Sequence, residues 1–134
     1  MNDCIFCKIA IGKIPAHKVY EDDLVMAFLD VAHFTKGHTL IIPKGHYADL
    51  LDTPDEIVAK MAVLAKDLAA NYKPTLSADG FNVKSNSGEV AGQEVMHYHV
   101  HLIPRYEGEE FKLEATNLAN NIDLEQVAAD LRND

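Results

Sequence analysis

His97-Tyr98-His99-Val100-His101-Leu102-Ile103-Pro104 is the stretch from which the fold can be read. Three imidazoles alternate with Tyr98, Val100 and Leu102. Aromatic and β-branched residues at this density favour a strand. In a strand, residues i, i+2 and i+4 share one face, about 7 Å apart. The spacing therefore puts His97, His99 and His101 on one face and buries the interleaved apolar residues on the other. Pro104 has no N–H to give to a ladder, so the strand is predicted to stop there.

Upstream, Asp79-Gly80 is a turn signal and residues 81–86 read as another strand. Ser87 to Glu94 is a polar loop containing Gly88 and Gly92, placed directly before the histidines. Glycine lets backbone N–H groups converge on an anion. Further back, strands are predicted at 17–21, 24–29 and 38–43, linked by short turns. The run Leu24-Val25-Met26-Ala27-Phe28-Leu29 is apolar throughout, which predicts burial on both faces. Short spacing between these strands predicts an antiparallel meander.

One long helix is predicted over 53–71. Thr53 reads as its N-cap, Pro54 as N1 and Glu56 as the partner in a capping box. Ile57, Met61, Leu64, Ala65 and Leu68 fall on one face, and Asn71 to Pro74 ends it. Residues 4–11 read as a short helical turn with Ile5, Phe6 and Ile9 inward, closed by Gly12. A last short helix follows Asp123, with Leu124, Val127, Ala128 and Leu131 apolar. The fold class is α+β: a five-stranded, mainly antiparallel sheet with one long helix and short terminal helices.

The chain has 134 residues, enough for one domain with a core. Its formal net charge is −9 with no Lys/Arg stripe, which argues against a nucleic-acid duplex as partner. Global acidity does not exclude a small anionic ligand, because local N–H groups can hold phosphate. No apolar run approaches the twenty residues of a membrane span. Met1-Asn2-Asp3-Cys4 does not read as a secretory signal, so a cytoplasmic location is the default expectation.

The two cysteines, Cys4 and Cys7, are spaced C-x2-C. That spacing suggests a metal knuckle or a redox pair, and its place at the N-terminus favours metal. Two thiolates make half of a tetrahedral zinc site. His17, His33, His38, His46, His97, His99 and His101 are the candidates to complete it, and spacing alone does not choose among them.

A wider pattern accompanies the histidine strand. The motifs Cys4-Ile5-Phe6-Cys7-Lys8-Ile9, Ile14-Pro15-Ala16, Tyr20-Glu21-Asp22-Asp23 and Ala27-Phe28-Leu29-Asp30 occur in order. Gly37-His38-Thr39-Leu40-Ile41-Ile42-Pro43-Lys44 and Ala91-Gly92-Gln93-Glu94-Val95 follow them. From about residue 4 to 106 the chain resembles the histidine triad (HIT) superfamily, in its zinc-binding, Hint-like bacterial branch. The resemblance implies a HIT-like domain over 1–108 and a C-terminal extension over 109–134. It also implies a homodimer formed through the long helix.

The resemblance further implies a hydrolase or transferase acting at the α-phosphate of purine nucleotide conjugates. His99 would be the nucleophile and become covalently nucleotidylated. The carbonyl of His97 would fix its tautomer, His101 would assist the leaving group, and His38 would support them. Asn86 and the backbone at Gly92, Gln93 and Glu94 would cradle the phosphate. Asp30 would bind the ribose, with Phe6, Ile9, Ile14, Val31 and Leu40 around the base. Cys4, Cys7, His46 and His97 would hold a structural zinc, and no magnesium would be needed. Many relatives have Ser or Thr where this chain has Glu94, whose N–H is expected to serve while its carboxylate turns away. Two competing readings are a nucleotide-binding regulatory module and a metal-dependent hydrolase that uses all three triad histidines as ligands. The second lacks a nearby carboxylate base.

Overall fold

A computed structural model of the protein describes residues 3–32, 34–109, 111 and 122–132. Met1, Asn2 and His33, all read above from sequence, and residues 110, 112–121 and 133–134 of the 109–134 extension lie outside the described residues. Five strands form one sheet: β1 (Lys18–Glu21), β2 (Val25–Leu29), β3 (Thr39–Pro43), β4 (Gly80–Lys84) and β5 (Val100–Arg105). Their order is β1-β2-β3-β5-β4 and every neighbouring pair is antiparallel. β2 and β3 are buried along their full length, as continuous apolar runs require when both faces of a sheet are covered.

The long helix, α2 (Asp55–Leu76), covers one face. Its Ile57, Met61, Leu64, Ala65, Leu68 and Tyr72 pack with Val25, Ala27, Leu29, Ile41, Val100 and Leu102. α3 (Leu124–Arg132) adds Val127, Ala128 and Leu131 to the same core. The short helix α1 (Ile5–Ala10) covers the opposite face, where Phe6 and Ile9 meet Met26, Phe28, Leu40 and Ile42. No described helix is long and apolar enough to cross a membrane.

Four local expectations are corrected. Pro54, not Thr53, caps α2: it is extended (ψ 146°) and its carbonyl accepts from Ile57 and Val58. A residue before proline avoids helical geometry, and the Thr53 hydroxyl instead donates to the Asp49 carbonyl, so no capping box forms. α2 also runs through Pro74 to Leu76. In the last turn the proline forfeits one hydrogen bond, and Ser77, left-handed at φ 56°, ends the helix. Ile5 is 45% exposed, because α1 is too short to bury two adjacent positions. Finally, Pro104 does not stop β5, which continues to Arg105. The β3 ladder ends at the Thr39–Leu102 pair. Beyond that pair the Pro104 carbonyl accepts from the Thr35 hydroxyl, so the missing N–H breaks no ladder bond.

Candidate active site and metal centre

β5 begins at Val100, so His97 and His99 precede the ladder rather than form its first rungs. The Tyr98 N–H donates to the Tyr47 carbonyl at 2.6 Å, tying this stretch to the loop after β3. The three histidines consequently take separate jobs along one line.

His97 is fully buried. Its Nε2–H donates to the Pro43 carbonyl at 2.9 Å, which leaves a lone pair on Nδ1. Cys4 Sγ lies 3.3 Å and Cys7 Sγ 3.5 Å from that nitrogen, and Cys7 Sγ lies 3.2 Å from His46 Nδ1. The four donor atoms of Cys4, Cys7, His46 and His97 fall within 4.8 Å of one another. Ordinary zinc–sulfur and zinc–nitrogen lengths in a tetrahedron put sulfur and nitrogen about 3.5 Å apart. Zinc fits this donor set, and the Pro43 carbonyl supplies the outer contact that orients a ligating imidazole.

His99 has a different tautomer. Its Nδ1–H donates to the His97 carbonyl at 2.7 Å, so Nε2 carries the lone pair. Ser85 Oγ donates to the His99 carbonyl at 2.9 Å, fixing the backbone from the β4 side. The Phe6 ring meets His99 edge-on at 5.1 Å and His97 at 5.8 Å. Burial holds the His99 ring below the ordinary histidine range, so the neutral form is favoured.

The proton on His101 is set by a relay. The Phe34 N–H donates to His38 Nδ1 at 3.0 Å. A backbone N–H can only donate, so the His38 proton sits on Nε2. That N–H donates to His101 Nδ1 at 2.9 Å, and His101 therefore keeps its own proton on Nε2. Burial, with lesser contributions from His99 and Lys84, lowers the His101 pKa to about 4. The His99 and His101 rings lie 5.1 Å apart. One lone pair and one N–H thus stand side by side, the first able to attack and the second to donate.

Asp30, His38 and His101 also bring donor atoms within 4.8 Å. The Phe34 amide occupies His38 Nδ1 and keeps the proton on Nε2, so this trio does not present the lone pairs that a metal needs.

The remaining predicted site residues scatter around this centre. Phe6, Ile9 and Leu40 are buried in the smaller apolar cluster, with Ile14 at its margin. Val31 is 64% exposed on the loop after β2. Asp30 accepts from the Ala32 N–H, and its other oxygen lies 3.7 Å from His38 Nε2. In the loop before β5, the Gly92 and Gln93 N–H groups already donate to Glu89 and Gly88. The Gln93 side chain is buried and bridges Gly88, Ala48 and Val95, while Asn86 Nδ2 donates to the Gly92 carbonyl. Glu94 is exposed, and its N–H, like those of Ser87, Glu89 and Val90, has no acceptor among the described residues. Sequence reasoning missed Ser85, Phe34 and Lys84. Lys84 could have been found by continuing the alternation of the fourth strand, which sets it on the Asn82 face.

The fold and site together define a small α+β domain that sets the His99 and His101 imidazoles beside a Cys2His2 cluster. Residues 12–108 match the HIT domain, and the chain belongs to the HIT family. An uncharacterised HIT-like protein of Methanocaldococcus jannaschii is 44% identical over 129 residues, covering 96% of this chain and 98% of that one. The adenylylsulfatase HINT3 of Arabidopsis thaliana is 43% identical over 106 residues, 79% of this chain and 54% of that one. A zinc-bound histidine triad family protein from Mycobacterium smegmatis has a similar crystal structure: the TM-score is 0.89 at 40% identity, covering 98% of this chain and 92% of that one.

Proposed function

We propose that the protein is a nucleotidyl hydrolase or transferase that cleaves at the α-phosphate of a purine nucleotide conjugate through a covalent bond to His99. The observation that carries this is the His99 Nδ1–H bond to the His97 carbonyl, which leaves Nε2 with a lone pair and no partner among the described residues. That lone pair attacks phosphorus while the bond to the leaving group breaks, and the leaving group takes the bonding electron pair. His101 Nε2–H donates to the departing atom. The nucleotidylated ring keeps its Nδ1–H on the His97 carbonyl and is cationic, which makes it a good leaving group. A water oxygen then attacks phosphorus, the P–Nε2 bond returns its electrons to the ring, and the water proton passes to solvent.

In this reading Asp30 binds the ribose, and Phe6, Ile9, Ile14, Val31 and Leu40 surround the base. The Glu94 N–H and Asn86 serve the phosphate, with Gly92 and Gln93 holding the loop in shape. A structural zinc on Cys4, Cys7, His46 and His97 pins α1 to the start of the histidine stretch. The exposed Val63 of α2 flanks a groove with Tyr20 and Lys60, which supports a homodimer through that helix. The reading takes the protein as cytoplasmic.

The stereochemical course at phosphorus tests this. Hydrolysis of a phosphorus-chiral substrate in isotopic water is predicted to proceed with net retention, as two in-line displacements require. Net inversion would show direct attack by water and overturn the reading.

A further inference from the structure

Lys84 stands directly opposite His101 in the β4–β5 ladder. Residues opposed in an antiparallel pair share a face, so its side chain emerges on the His101 side of the sheet. Its Nζ lies 4.9 Å from the centre of the Phe34 ring, and that ring is stacked on His38 at 5.1 Å and 8°. The Arg105 guanidinium lies over the same ring at 5.6 Å. Two cations therefore lie against one aromatic ring in a chain whose formal net charge is −9. Arg105 is engaged by Asn82 Oδ1 at 2.7 Å. Lys84 is half-buried and has no ion pair with a described carboxylate. Like charges held close together cost free energy unless an anion joins them, and the described residues supply none for Lys84.

We propose that Lys84 is a specificity-determining residue that selects leaving groups bearing their own tetrahedral oxyanion, a second phosphate or a sulfate, over neutral amines. This rests on the reaction assigned above. The residues placed for the nucleoside lie on the α1, β2 and β3 side of His99, whereas Lys84 lies on β4, across His101. His101 donates to the atom that departs, so the ammonium beside it meets the departing group and not the base. His99 Nε2 bonds to phosphorus and the phosphorus–oxygen bond to the departing phosphate or sulfate breaks. The electron pair stays on that oxygen, where Lys84 and the His101 N–H neutralise it. Such a weakly basic anion needs charge stabilisation more than a proton, which suits a neutral imidazole flanked by a fixed cation.

The test compares wild type with Lys84→Met and Lys84→Arg on three substrates: diadenosine triphosphate, adenosine 5′-phosphosulfate and adenosine 5′-phosphoramidate. Lys84→Met should lower kcat/KM about tenfold or more on the first two, as loss of a charge-assisted bond does, and less than threefold on the phosphoramidate. Lys84→Arg should recover most of the loss. A loss confined to one of the first two substrates identifies phosphate or sulfate as the anion selected. An equal fall on all three would place Lys84 on the transferred phosphate and overturn the proposal, as would no fall on any. Calorimetric affinities for ADP and AMP give a readout independent of turnover. The wild type should prefer ADP, and Lys84→Met should lose that preference. An unchanged ratio, or no nucleotide binding, overturns the proposal. Normal ADP selectivity without hydrolysis would support Lys84 as an anion site while overturning the assigned reaction.

Discussion

His97 connects the metal cluster to the reacting imidazole: its ring offers Nδ1 to Cys4 and Cys7, and its carbonyl takes the Nδ1–H of His99 at 2.7 Å. One residue thus fixes both the zinc donor set and the direction of the lone pair on its neighbour. Displacing His97 moves both.

Loss of the metal centre should accordingly reach the chemistry. Cys7→Ser is predicted to abolish stoichiometric zinc, measured by atomic emission, and to lower Tm by several degrees. It should reduce kcat, because the nucleophile loses its aim, and raise KM, because Phe6 and Ile9 sit on the α1 helix that the metal pins. Wild type should hold one zinc per chain. Its turnover should be unchanged by a magnesium chelator that leaves the zinc bound, since Lys84, the His101 N–H and the Glu94 amide serve the charge that magnesium neutralises elsewhere. Retention of full activity by zinc-free Cys7→Ser, or loss of wild-type activity on magnesium removal, would break this link.

The state of His101 gives a pH prediction. Its pKa is lowered to about 4, chiefly by burial, whereas in the unfolded chain it is about 6.5. Between those values the unfolded state binds the proton and the folded state does not. This group therefore lowers stability as pH falls from about 6.5 toward 4 and has no further effect below that. The His101 ring signal in NMR should titrate near 4. Lys84→Met should raise the midpoint, because removing a nearby cation favours the protonated ring. A midpoint near 6.5 in wild type would contradict the neutral donor assigned to His101.

Gly37 holds the entry to β3 and so the position of His38. Its φ is 91°, and an added Cβ would stand 2.5 Å from Leu76 Cδ1 and 3.2 Å from Pro104 Cγ. Gly37→Ala combines left-handed strain with overpacking and should cost about 1–3 kcal/mol by urea unfolding. An unchanged midpoint would show that the loop can relax without disturbing this packing.

Much of this architecture is legible in the residues themselves. Period-two and apolar-run patterns locate all five strands, and helical spacing finds the buried face of α2, because those patterns report which side of an element meets the core. Cap chemistry is less legible. Thr53 fits a capping box locally, yet Pro54 restricts its backbone and the Asp49 carbonyl takes its hydroxyl. The histidine pattern gives a shared face but not three separate duties. Those depend on partners distant in sequence: Pro43 for His97, and Phe34 with His38 for His101. The alternation of the fourth strand gives Lys84 a face, but its place beside His101 has meaning only once β4 is registered against β5.

The most direct measurement is intact-protein mass spectrometry after acid-free quenching during turnover of an adenylyl substrate, followed by peptide mapping. Wild type should gain an adenylyl group located on His99, and His99→Ala should gain none. An adduct on another residue, or turnover with no adduct under conditions that trap a phosphoimidazole, would contradict it.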